Sequence, residues 1–329
     1  RLFAACAGLQ PGGLVRLQHA ELAEALDFMD RLPRAIELLA AVWRDRRDPD
    51  LTGLLAEMRR HRDRILRDPK YPDEVKSVTL GVQLGYDRLQ QRSLDAAALF
   101  ADLSLFPGGL NAAGATAIYG AGGPALLRMI EDQSLLERTA DDLFYLPTPF
   151  RYFAERQVAG GAAAAQARLG QPALAYYAGW ATTLDDGLVG GGAAMGAIIA
   201  RFLTELPSIE TWAAWGVTQP GATAGSAARL VASLRNLYVV SGLLRLRRDL
   251  LTRALGAAQR ALDRGGEANV LQALGDLALR EDDLGEARRR YESALAIYPQ
   301  IGARLGEANV QKALGDLALR EDDLGEARR

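Results

Sequence analysis

Apolar residues recur at helical spacing along most of the chain. Leu22, Ala25, Leu26 and Met29 fall at three- and four-residue intervals, and Ile36, Leu39, Ala40 and Trp43 repeat the pattern at i, i+3, i+4, i+7. Residues 1–70 are therefore expected to form helices, the third starting at Asp48-Pro49, since proline is tolerated at a first helical position. Between 71 and 157 the pattern gives a helix ending at Tyr86 and a second ending in Leu105-Phe106-Pro107-Gly108-Gly109. A short third helix and a fourth through Met129 follow. Leu135-Leu136, the polar turn Thr139–Asp142 and Leu143–Leu146 then read as two short strands. Residues 158–262 interleave small-residue runs, Gly160–Ala165 and Gly190–Ala194, with Tyr176, Tyr177, Trp180, Trp212 and Trp215. This mixture marks close helix contacts more than free linkers. Ala228–Tyr238 and Asp249–Leu255 resemble a worn helix hairpin.

The segment 263–329 has the clearest pattern. Residues 266–289 read GEANVLQALGDLALREDDLGEARR and residues 306–329 read GEANVQKALGDLALREDDLGEARR. Of 24 positions two differ, Leu271 against Gln311 and Gln272 against Lys312, so one unit is written twice with a period of 40 residues. Such a period signals stacked supersecondary units. The first copy divides into an apolar-periodic run ending near Arg280, a polar break at Glu281-Asp282-Asp283, and a second run from Leu284 to Tyr298 closed by Pro299. That is a helix hairpin, with Asp283 and Glu286 spaced as a capping box for its second helix. Gly275 and Ala287 stand where the two helices come closest. Leu251 and Ala254, 40 residues before Tyr291 and Ala294, are consistent with a degenerate earlier repeat.

Leu274-Gly275, Ala287, Tyr291, Ala294 and Pro299 resemble the tetratricopeptide (TPR) signature at its offsets, with Leu271 where that family usually has Trp and Ala278 where it has Tyr. Farther back, Arg31-Leu32-Pro33-Arg34-Ala35-Ile36-Glu37-Leu38-Leu39-Ala40-Ala41 resembles the "GLPLAIELLAA" motif in the helical domain of STAND nucleotide switches, with Arg31 in place of the glycine. Tyr86-Asp87-Arg88-Leu89, Leu105-Phe106-Pro107-Gly108-Gly109 and Phe150-Arg151-Tyr152-Phe153-Ala154 resemble the winged helix that follows it in bacterial members. Pro147 stands where relatives often carry a phosphate-contacting His. The resemblance implies an all-α chain: a helical domain (1–70), a winged helix with a small β wing (71–157), a helical bridge with degenerate hairpins (158–262) and a TPR array (263–329). It places Pro33 near a bound nucleotide.

Composition narrows the functional classes. Formal charge is −2, too near neutral to mark a nucleic-acid or membrane surface. From Lys76 to Arg156 seven basic residues face nine acidic ones, and the candidate recognition helix Pro124–Gln133 sets Arg128 against Glu131 and Asp132, which argues against DNA binding. One cysteine, Cys6, excludes an intramolecular disulfide and fits a reducing, cytoplasmic setting. The most apolar stretch, Gly187–Ala200, is too short and too glycine-rich to cross a membrane. There is no Gly-Lys pair and hence no P-loop. His19 and His61, with Cys6, make no metal-ligand spacing and are expected at the solvated surface. Asp185-Asp186 and Asp282-Asp283 are expected in turns. No catalytic residue, metal or cofactor is assigned to these residues.

The functional expectation rests on the repeats. In TPR arrays the first helices line a concave face, where Asn269, Gln272, Asp276 and Arg280 would stand beside Asn309, Lys312, Asp316 and Arg320. Such rows suit an extended protein or peptide ligand. The alternative is that they are solvated residues kept alike by recent duplication. The chain opens at Arg1 without Met and stops inside the second copy, so a piece of a longer protein is expected. The STAND resemblance then implies an upstream domain binding ATP or ADP, held inactive by the winged helix and released to exchange nucleotide and oligomerise when the array captures its ligand, in defence or cell death. A plain TPR scaffold and a winged-helix transcriptional regulator are the alternatives.

Overall fold

The computed structural model describes residues 2–8, 19–45, 51–67, 76–189 and 194–327. They are predominantly helical, with one three-stranded sheet. None of the described helices is long and apolar enough to cross a membrane. The chain forms two compact units, Arg1–Ala165 and Gln166–Arg329, each described by itself. The expected helix start at Asp48-Pro49 and the run Gly190–Gly192 lie outside the described residues.

The first unit is organised around one helix. Its elements are α1 (Leu2–Cys6), α2 (His19–Phe28), α3 (Pro33–Asp45), α4 (Leu51–Arg67), α5 (Lys76–Arg92), α6 (Leu94–Asp102), β1 (Leu110–Asn111), α7 (Ala112–Tyr119), α8 (Gly123–Asp132), β2 (Glu137–Arg138), β3 (Leu143–Tyr145) and α9 (Thr148–Gln157). Helix α5 continues past the expected end at Tyr86 and is buried from Ser77 through Tyr86. Two glycines let its neighbours in: a Cβ on Gly81 would stand 3.0 Å from the Leu38 side chain of α3, and one on Gly85 would stand 3.1 Å from Leu135. Tyr86, Phe100 and Phe153 then pack ring against ring, joining α5, α6 and α9.

The sheet has three strands where the pattern suggested two. Leu110-Asn111 pairs antiparallel with β3, which also pairs with β2, giving the order β1-β3-β2. A two-residue strand carries no alternation to read; the neighbour makes it. Gly109, at φ 87, has no room for a Cβ, which would lie 2.7 Å from the Phe144 carbonyl.

The second unit is a helical array. The boundary falls inside α10 (Gly161–Val189), followed by α11 (Ala194–Gly216), α12 (Gly221–Ser233), α13 (Arg235–Val240), α14 (Leu244–Arg260), α15 (Arg264–Arg280), α16 (Leu284–Ile297) and α17 (Arg304–Ala327). The small residues of this region seat aromatic and branched side chains, as expected: the Trp215 ring lies where a Cβ on Gly170 would be, and Leu174 and Ala227 close on Gly216. Asp185 is not in a turn. It lies within α10 and accepts from Asn236 Nδ2 at 2.9 Å.

A finer period than 40 appears in the turns. Gly242, Leu262, Asp282 and Gly302, spaced 20 apart, all adopt left-handed φ, of 72°, 55°, 61° and 67°. After each, an N–H reaches back five residues: Leu243 to the Tyr238 carbonyl, Asp263 to Ala258, Asp283 to Ala278 and Ala303 to Tyr298. This is the Schellman closure, which satisfies carbonyls left open at a helix end. The next helix starts at once, and twice it is capped by aspartate: Asp263 Oδ1 accepts from Gly266 N at 3.0 Å and Asp283 Oδ1 from Glu286 N at 2.9 Å. The Glu286 carboxylate does not complete the expected box. It bonds Arg289 and Arg290, which hold its pKa below the usual value.

The second copy departs from the first. Glu321-Asp322-Asp323, whose twin is the turn at Glu281-Asp282-Asp283, lies within continuous helix α17. In the first copy, Ala287, Tyr291 and Ala294 are buried and hold α16 down.

Two predictions follow from these details. Leu262 is 84% exposed and strained at φ 55°. Left-handed backbone costs a branched residue about 1–2 kcal/mol, partly offset by the greater chain entropy of unfolded glycine. Leu262→Gly should therefore raise the denaturation midpoint, corresponding to about 0.5–1 kcal/mol. Glu205 of α11 is 2% exposed, and burial raises its pKa above the ordinary 4.5 against the opposing pull of Arg201. The folded state thus binds this proton more tightly than the unfolded one, and stability falls as pH rises from 4.5 through the folded pKa. Glu205→Gln should stabilise the chain at neutral pH and lose that advantage well below 4.5, as urea titrations at both pH values would report.

Candidate functional site

The polar face of the repeats is built by two tyrosines laid across two helices. Tyr291 of α16 lies on bare backbone at Gly275, where a Cβ would stand 2.6 Å from the ring, and its hydroxyl donates to Asp276 Oδ1 at 2.8 Å. Tyr298, just beyond α16, lies over Gly306 of α17 in the same manner. Its hydroxyl is 2.9 Å from Asn269 Oδ1 and 2.8 Å from Gln272 Oε1. The single hydroxyl proton is shared between these two amide oxygens. Around these rings pack Ala268, Leu271, Ala278, Ala287, Ala294, Ile297, Val310 and Leu317.

Beside this core opens a groove of about 820 Å3. Helix α15 and its turn supply Gln272, Asp276, Leu279, Arg280 and Asp282; α17 supplies Asn309, Ala313 and Arg320; Asn236 and Val239 of α13 and Arg247 of α14 complete it. Five of the eight residues expected on the concave face thus meet at one cavity: Gln272, Asp276, Arg280, Asn309 and Arg320. Asn269 faces a smaller adjoining cavity of about 220 Å3 that Gln272 also lines. Lys312 and Asp316 are exposed but line neither. The eight positions are therefore not equivalent. In the first copy Asn269, Gln272 and Asp276 are tied to tyrosines, whereas Arg280 and Arg320 are exposed.

No protein-family model, curated protein or solved structure matches the chain. The site is thus argued from its own residues.

Arg247 is the residue that sequence reasoning passed over. It is 1% exposed and donates through Nη2 to the Ala273 carbonyl at 3.2 Å. It stands 40 residues before Ala287, so an arginine fills a position where the regular repeat has its small contact residue. That mismatch was the available signal. Close behind, the Tyr238 hydroxyl is pushed well above its usual pKa by burial and by Glu210, with Arg247 opposing. Arg247 thus places a positive charge in the groove wall, backed by a neutral phenol.

The remaining sequence candidates fall elsewhere. Pro33 opens α3 and is exposed. It follows Asp30 and Arg31 at φ 47° and 53°, a left-handed backbone that glycine adopts without strain. His61 is not a solvated histidine: its Nε2 lies 2.9 Å from Asp87 Oδ2, with its side chain 19% exposed. Asp282 and Asp283 are turn and cap residues as expected.

The twin glycines provide an internal control. Gly275 carries the Tyr291 ring, whereas a Cβ on Gly315 meets nothing within 4 Å. Gly275→Ala should destabilise the chain by about 1–3 kcal/mol through overpacking. Gly315→Ala, with the same flanking sequence, should stabilise by up to about 1 kcal/mol through helix propensity alone. Guanidinium denaturation of the two variants measures the difference.

Proposed function

We propose that this chain is the regulatory and sensor portion of a STAND-type nucleotide switch, its helical repeats capturing a protein or peptide ligand. The observation that carries the reading is the groove, where Arg280 and Arg320, one from each copy of the repeat, open with Asn309 onto one cavity. An extended polypeptide offers carbonyls and carboxylates at intervals that rows of guanidinium and amide groups bond well.

The first unit supports the regulatory half of the reading. Its order of α6, β1, α7, α8 and the β2–β3 hairpin, with β3 central, supports reading this part as a winged helix. Helix α3 is fastened to its far corner: Arg34 Nη2 donates to the Ser134 carbonyl at 3.0 Å and Arg44 Nη2 to the Asp132 carbonyl at 3.1 Å. In this reading the winged helix is an intramolecular partner for an upstream domain carrying ATP or ADP. Ligand capture favours the released state, and nucleotide exchange and oligomerisation follow from that population shift. A role in direct DNA binding has little support, because the exposed Arg128 of α8 is flanked by Glu131 and an exposed Asp132.

A plain repeat scaffold is the second reading, since the groove is complete within the second unit. Both readings require the two arginines. Panning a displayed random-peptide library against the chain should enrich ligands for the wild type, and the paired reversal Arg280→Glu with Arg320→Glu should lose them. Enrichment that survives the reversal would sink both. In a protein carrying the proposed upstream domain, ligand should accelerate release of bound ADP; nucleotide content indifferent to ligand leaves the scaffold.

A further inference from the structure

We propose that Glu57, His61 and Asp87 form a divalent transition-metal site, suited to Zn2+, that ties α4 to α5. Glu57 and His61 are four residues apart on α4 and so project from one face, a turn apart. Asp87 comes from α5, and one donor atom from each of the three lies within 4.8 Å of the others. Among the described residues this is the only such grouping.

Both carboxylates already have an orienting partner on one oxygen. Gln83 Nε2 donates to Asp87 Oδ1 at 2.7 Å, so that Oδ2 is the atom facing His61. Arg88 Nη2 lies 3.4 Å from Glu57 Oε2, one oxygen of the second carboxylate. Ligating groups are characteristically held in this way by outer hydrogen bonds that fix their direction. The three residues line an open cavity of about 590 Å3 with Arg60, Gln90 and Gln91, giving space for water at the remaining coordination position.

The donor set selects the ion. One imidazole with two carboxylates suits a borderline cation, whereas calcium and magnesium prefer all-oxygen shells and softer ions prefer thiolate. Tetrahedral zinc bonds of about 2.0–2.1 Å place ligand atoms roughly 3.3 Å apart. The His61–Asp87 pair, at 2.9 Å, need open only slightly, and the two edges to Glu57, each within 4.8 Å, need close by no more than about 1.5 Å to reach that spacing.

The test uses the whole chain, stripped with chelator and titrated with zinc chloride against a chromophoric competitor. The expected result is a single tight equivalent that raises the thermal midpoint. His61→Ala and Asp87→Asn should each abolish the binding and the thermal shift. Gln83→Ala, which removes no ligand, should weaken binding by about ten- to hundredfold. Absence of stoichiometric zinc binding overturns the proposal, as does binding that survives both ligand substitutions, since the ion then sits elsewhere. Circular dichroism confirms that each variant is folded; should His61→Ala fail to fold, Asp87→Asn and Gln83→Ala decide the question.

Discussion

The second unit depends on a tyrosine ring resting on a glycine. Tyr291 reaches α15 only because Gly275 has no side chain, and this sets how closely α15 and α16 approach. The same contact brings the phenol hydroxyl to Asp276. A packing event thereby fixes a polar group at the groove edge, and Tyr298 repeats the arrangement over Gly306 while holding Asn269 and Gln272. Apolar burial and polar alignment are supplied by the same two side chains. Substitution at either glycine would disturb both.

The first unit uses the same device with aliphatic partners. Gly81 and Gly85, one turn apart on α5, admit Leu38 and Leu135, so the helix is enclosed on several sides. The glycines cost helix propensity, about 1 kcal/mol each against alanine, and the enclosure of α5 offsets it. A buried, glycine-bearing helix of this kind positions α3, α6 and α9 around it. His61 and Asp87 meet at its outer face.

The sequence disclosed the parts whose signal is local or repeated. Duplication exposed the hairpin, and the spacing of Gly275, Ala287 and Tyr291 gave its interior. The aspartate cap at Asp283 was also legible. What escaped depends on distance or context. His61 and Asp87 are on different helices, so no motif joins them. Strand β1 exists only as a neighbour of β3. The regular turns were hidden because Leu262 and Asp282 occupy left-handed positions where glycine would have declared itself. Most instructive is the Glu-Asp-Asp segment, a turn in one copy and helix in the other. Identical residues adopt different structures, so the segment's local sequence does not by itself decide between turn and helix.

The 20-residue spacing of the left-handed turns separates what duplication preserves from what it changes. Helices α13, α14, α15 and α17 all line the groove, and the arginines at its opening, Arg280 and Arg320, are two spacings apart. A step of two spacings places a further Asn and Arg, Asn309 and Arg320, on the groove beside the residues of the first copy. Repetition in steps of 40 residues would lengthen the groove in whole units, and the two near-identical copies are separated by one such step.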